Sequence, residues 1–293
     1  MRALASRAEI DAEVTRLLAE AGALRRFPTP VEDLVAAQQL RLIGPEASFF
    51  SQAMLDEAPP ELRAKMVPLK NKVLAMIDRH ERTIRLTAGG VAARQRFTLC
   101  HEIGHDLCPW HDERYYVDGA LQLSPAVRAL FEREANYAGA ALLYQQDVFD
   151  EVARHYRMTF GEVKALAGVF GGSIEATLRR HVECHRAPVA GVVIGMHDAG
   201  LSTLGWSLPV QQVTVSKSFG ALFRPQKLTV CLSPALQPDL RWAIGDLAST
   251  GRAGEGYLQI IARDGAKYRL SFQLATNSYV HFLLLHSPIR HFA

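Results

Sequence analysis

Residues 96–108 read RFTLCHEIGHDLC, and the five in their middle, His101-Glu102-Ile103-Gly104-His105, decide how the chain is read. Positions i and i+4 of an α-helix differ by about 40° around the axis, so His101 and His105 project from one face. Two neutral imidazoles at that spacing can hold one Zn²⁺. Glu102, about 100° round the helix, reaches a water beside the ion without being a ligand. Zinc acidifies such a water towards a pKa of about 7; a carboxylate base can then take its proton and pass it to a leaving nitrogen. Phe97, Leu99, Ile103 and Leu107 supply apolar neighbours, so the motif is expected within a helix over 92–107. Gly104 inside that helix costs about 1 kcal/mol relative to alanine and is read as leaving room beside the metal.

A catalytic zinc needs a third protein ligand and an open fourth position. Two candidates stand in the sequence. His111 follows His105 at the offset of a metzincin third ligand, although Cys108-Pro109 stands where that pattern has a glycine turn; otherwise His111 reads as a solvated loop residue. The other candidate is Glu132 in FEREANYAGAALL (131–143), part of a helix expected over 125–144. Glu132 and Asn136 share a helical face there, a ligand and a partner for a ligating histidine, while Glu134 points elsewhere. Cys108 continues the i, i+4, i+7 series of the two histidines, so its thiolate could fill the open position and make a redox-releasable block; Cys100 is less well placed. Both also read as buried small apolar residues. Tyr115 and Tyr116 follow in a loop, as oxyanion donors or as packing over the cleft.

The chain has 293 residues, enough for two domains or three small ones. With 48% hydrophobic and 22% charged residues, a largely disordered chain is excluded. The formal charge of +3 gives no global argument for nucleic-acid binding. No apolar run approaches the roughly 18–20 residues of a membrane span, and the first residues lack a secretory core, so a cytoplasmic protein with no membrane partner is expected. Cys100, Cys108, Cys184 and Cys231 form no C-x-x-C pair and read as free thiols. Ile10, Val14, Leu17 and Leu18 have helical spacing, and 72–78 and 83–87 read as two strands joined by a polar turn. Residues 146–185 look helical throughout. From 188 strands dominate, at 189–195, 212–217, 227–232, 256–262, 267–274 and 279–286, with a helix near 236–248.

Residues 163–181 resemble a helix-turn-helix with Gly171 in the turn, locally basic through Arg157, Lys164, Arg179, Arg180 and His181. Direct DNA contact by its second helix is one reading; a helical subdomain that packs on the peptidase or docks its substrate is the preferred one. His181, Cys184 and His185 read as a helix end, not a second metal cluster. Lys217, Arg224 and Lys227 leave room for a nucleic-acid or nucleotide effector.

QRFTLCHEIGH (95–105), followed by EREANYAGAALL (132–143), resembles the ImmA/IrrE family of metallo-endopeptidases. The resemblance implies an α+β fold: a zincin-like peptidase domain over 1–145, a helix-turn-helix-like helical subdomain over 146–187, and a C-terminal α/β GAF-like sensor domain over 188–293. It implies His101, His105 and Glu132 as zinc ligands and Glu102 as the base. It further implies cleavage of a partner helix-turn-helix repressor, which would derepress a stress, DNA-damage, mobile-element or phage-defence operon, and a small-molecule or nucleic-acid effector at the last domain. Cys100 and Tyr144-Gln145 depart from the family's usual alanine and Met-Pro, and neither departure touches an implied ligand. The readings outside this family are a DNA-binding regulator with a structural zinc and a metal-dependent hydrolase acting on a non-peptide substrate.

Overall fold

The computed structural model describes residues 4–46, 56–69, 74–87, 90–111, 125–195, 209–224, 228, 232, 237–250, 253–277 and 280–290. These gather into two compact units, Met1–Phe149 with Gly168–Ser173, and Asp150–Ala167 with Ile174–Ala293.

In the first unit, helix α1 (Arg7–Glu20) buries Ile10, Val14, Leu17 and Leu18, the apolar face that its spacing predicts. Helix α2 (Val31–Ala37) leads into strand β1 (Arg41–Glu46), and helix α3 (Pro60–Leu69) precedes strands β2 (Ala75–Asp78) and β3 (Thr83–Thr87). The strand order is β1-β3-β2, with β3 parallel to β1 and antiparallel to β2. Strand β1 and helix α3 lie in a stretch whose periodicity is illegible. In β1 the reason is that Gly44-Pro45 interrupts a short strand whose pairing shifts register between Ile43 and Glu46.

Helix α4 (Ala92–Leu107) carries the HExxH motif and packs along helix α5 (Pro125–Tyr144). Small residues bring the two axes together. A Cβ on Gly139 would stand 3.0 Å from His101 Cα, and one on Gly104 would stand 2.8 Å from the Ala135 carbonyl oxygen. Gly104 therefore makes room for the neighbouring helix, not for the metal as its place in the motif suggests. Helix α4 ends because Cys108 precedes proline, and the ring of Pro109 disfavours helical backbone there; Cys108 is extended, at φ −103° and ψ 93°.

The second unit contains helix α6 (Asp147–Ala153) from Asp150 on, and helix α7 (Phe160–Phe170) up to Ala167. Helix α8 (Ile174–Cys184) follows Gly171, whose φ of +66° suits a glycine turn. Strands β4 (Ala190–Gly195), β5 (Val210–Val215), β6 (Gly254–Ile261), β7 (Lys267–Thr276) and β8 (Val280–Arg290) form one antiparallel sheet in the order β5-β4-β8-β7-β6. Strand β4 is buried throughout. Helices α9 (Lys217–Leu222) and α10 (Pro238–Thr250) contribute Phe219, Leu240, Ile244 and Leu247 to one apolar cluster with Val192, Leu258 and Leu283. Leu178 and Val182 of α8 join Val193, Phe282 and Leu284 in a second. One face of the helix-turn-helix-like second helix is thus buried on this sheet.

Of 227–232, read as a strand, only Leu228 and Leu232 lie among the described residues. Leu232 N–H bonds the Leu228 carbonyl at 2.9 Å, the i to i+4 pattern of a helical turn, which overturns the strand reading at these two residues.

Candidate metal centre

Helix α4 presents His101 and His105 on one side, and helix α5 presents Glu132 opposite them. His101 Nε2 lies 3.5 Å from Glu132 Oε2, and His105 Nε2 lies 3.6 Å from Glu132 Oε1. One ligand atom from each of the three residues falls within 4.8 Å of the others. Ligands about 2.0–2.2 Å from a tetrahedral zinc stand about 3.3–3.6 Å apart, so each histidine, facing its own oxygen of Glu132, has the spacing of two corners of such a site, while the set taken with one atom from each residue lies within the wider 4.8 Å. Its chemistry fits as well. Burial lowers the pKa of His101 against the opposing pull of Glu132, and burial, with His101, His111 and Arg79 beside it, pushes His105 down to about 3. Both rings are therefore neutral near pH 7 and each keeps a lone pair. Glu132, with its side chain 60% exposed, leaves the open side towards solvent.

Glu102 sits beside these residues as the motif requires. Its carboxylate accepts a hydrogen bond from the Ile77 backbone N–H of β2 at 3.0 Å, which ties the base to the edge of the sheet. Burial raises its pKa to about 7, against the Ile77 bond and with a further push from Glu132. A carboxylate poised there can both take and return a proton near neutral pH. All four residues line one cleft of about 820 Å³, together with Ile77, Phe97 and Asn136. Asn136, one turn on from Glu132, stands close enough to the His101 ring to oppose the lowering of its pKa.

His111 is neither the third ligand nor a solvated loop residue. Its side chain is 1% exposed, it stacks on Phe131 with ring centroids 4.3 Å apart, and both ring nitrogens are occupied. Nδ1 meets His105 Nδ1 at 3.1 Å, and Nε2 meets Glu134 Oε2 at 2.8 Å. The sequence carries no periodic signal for this arrangement, because a short 3₁₀ turn (Pro109–His111) folds the ring back under α4. Also unsignalled is a brace at the end of α4. Asp106 pairs with Arg82 at 2.6 Å and accepts from Gln38 Nε2 at 2.9 Å.

The thiol-block reading of Cys108 fails on geometry, since leaving the helix at Cys108 breaks the i+7 series. Burial, with Glu134 adding to it, pushes that thiol up to about 12; burial does the same to Cys100. Neither sulfur belongs to the group of metal-capable atoms found among the described residues. Tyr115 and Tyr116 lie outside the described residues.

Two histidines and a glutamate gathered over an HExxH helix, beside a three-stranded sheet, define a zincin-like metallopeptidase domain. Residues 57–181 match the family model Peptidase_M78, described as the IrrE N-terminal-like domain. No curated protein matches the chain. A solved structure described as a Mycobacterium tuberculosis transcriptional regulator is similar at a TM-score of 0.51 and 14% identity, over 96% of this chain and 76% of that one; the likeness is one of fold. No helix among the described residues is long and apolar enough to cross a membrane.

Proposed function

We propose that this protein is a cytoplasmic zinc-dependent endopeptidase that cleaves a partner helix-turn-helix repressor at one site. Cleavage releases a stress, DNA-damage, mobile-element or phage-defence operon from repression. The observation that carries the reading is the convergence of two neutral imidazoles and one carboxylate beside Glu102 in a single open cleft. His101, His105 and Glu132 would hold the zinc, which supplies Lewis acidity to a carbonyl and to water. Glu102 takes the proton of the attacking water and delivers it to the amide nitrogen that leaves. Strand β2 is an edge of its sheet among the described residues, and Ala75, Met76 and Ile77 line the cleft, so an extended substrate segment can lie along it.

In this reading the chain has three parts: a peptidase over 1–145, a helix-turn-helix-like subdomain over 146–187 that docks the substrate, and a GAF-like sensor over 188–293 for a small-molecule or nucleic-acid effector. Arg180, which is committed to Asp150 at 3.3 Å, supports the docking role over DNA reading. The test compares new protein N-termini in cells expressing wild type or Glu102→Gln, with and without DNA damage. A single new terminus in a helix-turn-helix protein, present in wild type alone, is expected. Cleavage retained by Glu102→Gln sinks the mechanism. An unchanged cellular function in that variant favours a DNA-binding regulator with a structural zinc.

A further inference from the structure

Beneath the cleft a chain of hydrogen bonds runs from Glu134 through His111 to His105. Glu134 is 3% exposed. Its Oε2 accepts from the Trp110 indole N–H at 2.8 Å, and its Oε1 accepts from the Ser6 hydroxyl. An indole N–H can only donate, so Oε2 is an acceptor, and its second partner, His111 Nε2 at 2.8 Å, completes the set as a donor. With one proton on the His111 ring, Nδ1 is then an acceptor. The atom facing it at 3.1 Å, His105 Nδ1, must carry a hydrogen. The lone pair of His105 is thereby left on Nε2, the atom 3.6 Å from Glu132. His101 has no such support, since its Nδ1 is buried without a hydrogen-bond partner.

We propose that His111 and Glu134 are positioning residues that lock His105 in the Nδ1–H tautomer and so aim its Nε2 lone pair at the metal site. The consequence for metal affinity rests on the ligand assignment above; the tautomer itself does not. The relay works through orientation. Stacked on Phe131, the His111 ring cannot swing away, and the three donors on Glu134 prevent its carboxylate from turning. The hydrogen-bond polarity is therefore set from the buried end outward.

The test has two arms. In metal-free wild-type protein, ¹⁵N chemical shifts of the His105 ring should report a protonated Nδ1 and a bare Nε2. Chelator competition should then show zinc binding weakened about 10–100-fold in His111→Phe, which keeps the stack on Phe131 but offers no acceptor. His111→Asn places an amide oxygen near the former Nδ1 and should stay within about threefold of wild type. In Glu134→Gln the Trp110 N–H holds the amide oxygen at the Oε2 position, and the Ser6 hydroxyl can accept from the amide nitrogen, so the polarity is kept and His105 should stay Nδ1–H. A purely structural role predicts none of this ordering. An Nε2–H tautomer in wild type overturns the proposal, as does wild-type zinc affinity in a folded His111→Phe. If wild type binds no zinc yet shows the Nδ1–H tautomer, the ligand assignment fails and the relay stands.

Discussion

Alanine at Gly139 would put a methyl carbon 3.0 Å from both Cα and N of His101 and 3.1 Å from the Cys100 carbonyl carbon. These are backbone atoms of a packed helix and cannot rotate aside. Ordinary carbon contacts need about 3.5–4.0 Å, so α4 and α5 must separate by about half an ångström at this level. Metal sites tolerate ligand displacements of about 0.2 Å. Glu132 lies two turns from Gly139 on the helix that moves, opposite the histidines on the helix it moves from. Overpacking costs about 1–3 kcal/mol, partly offset by about 1 kcal/mol of helix propensity. The expected net loss is about 1 kcal/mol, with zinc affinity reduced about tenfold or more. Gly168→Ala is the internal control: a Cβ there meets nothing within 4 Å, so only the propensity gain remains. Thermal unfolding and chelator competition on both variants decide the matter. A Gly139→Ala protein as stable as wild type, with unchanged zinc affinity, would refute the claim that helix contact sets the ligand spacing.

Three further outcomes follow from the described contacts. Asp106→Ala leaves Arg82 without its 2.6 Å carboxylate partner and removes the acceptor of Gln38, which should cost about 2–3 kcal/mol in chemical denaturation. That lies below the value for a fully buried pair because the Arg82 side chain is 41% exposed. Burial, aided by His185, depresses the His181 pKa to about 4, below its unfolded value; its stabilising contribution is therefore complete above about pH 6.5 and lost as pH falls towards 4. His181→Gln should remove up to about 3 kcal/mol of that acid dependence, and acid denaturation curves that superimpose would contradict it. Cys100→Ala and Cys108→Ala should leave zinc affinity within about twofold of wild type, since neither sulfur stands with the metal-capable group of His101, His105 and Glu132; a tenfold change measured by chelator competition in either would revive the thiol block.

Much of the chemistry was legible without coordinates because it is local. Helical geometry alone places His101 and His105 on one face and Glu102 beside them, and α1, α4 and α5 follow from their apolar spacing. Glu132 needed more: its helix and face were readable, but the choice between it and His111 turned on how two separate helices come together. The same holds for His111, whose solvated-loop reading failed because a 3₁₀ turn no periodicity announces buries the ring against Phe131. Gly104 shows the distinction in one residue. Its cost to the helix is a local property, whereas the atom that it avoids, the Ala135 carbonyl oxygen, belongs to another helix. The sequence by itself therefore determined which side chains could do the chemistry, since periodicity and side-chain type are properties of a single segment. Only the tertiary structure decided which carboxylate meets the histidines, which thiols stay outside, and which buried acid orients the site from below, because each depends on contacts between segments distant along the chain.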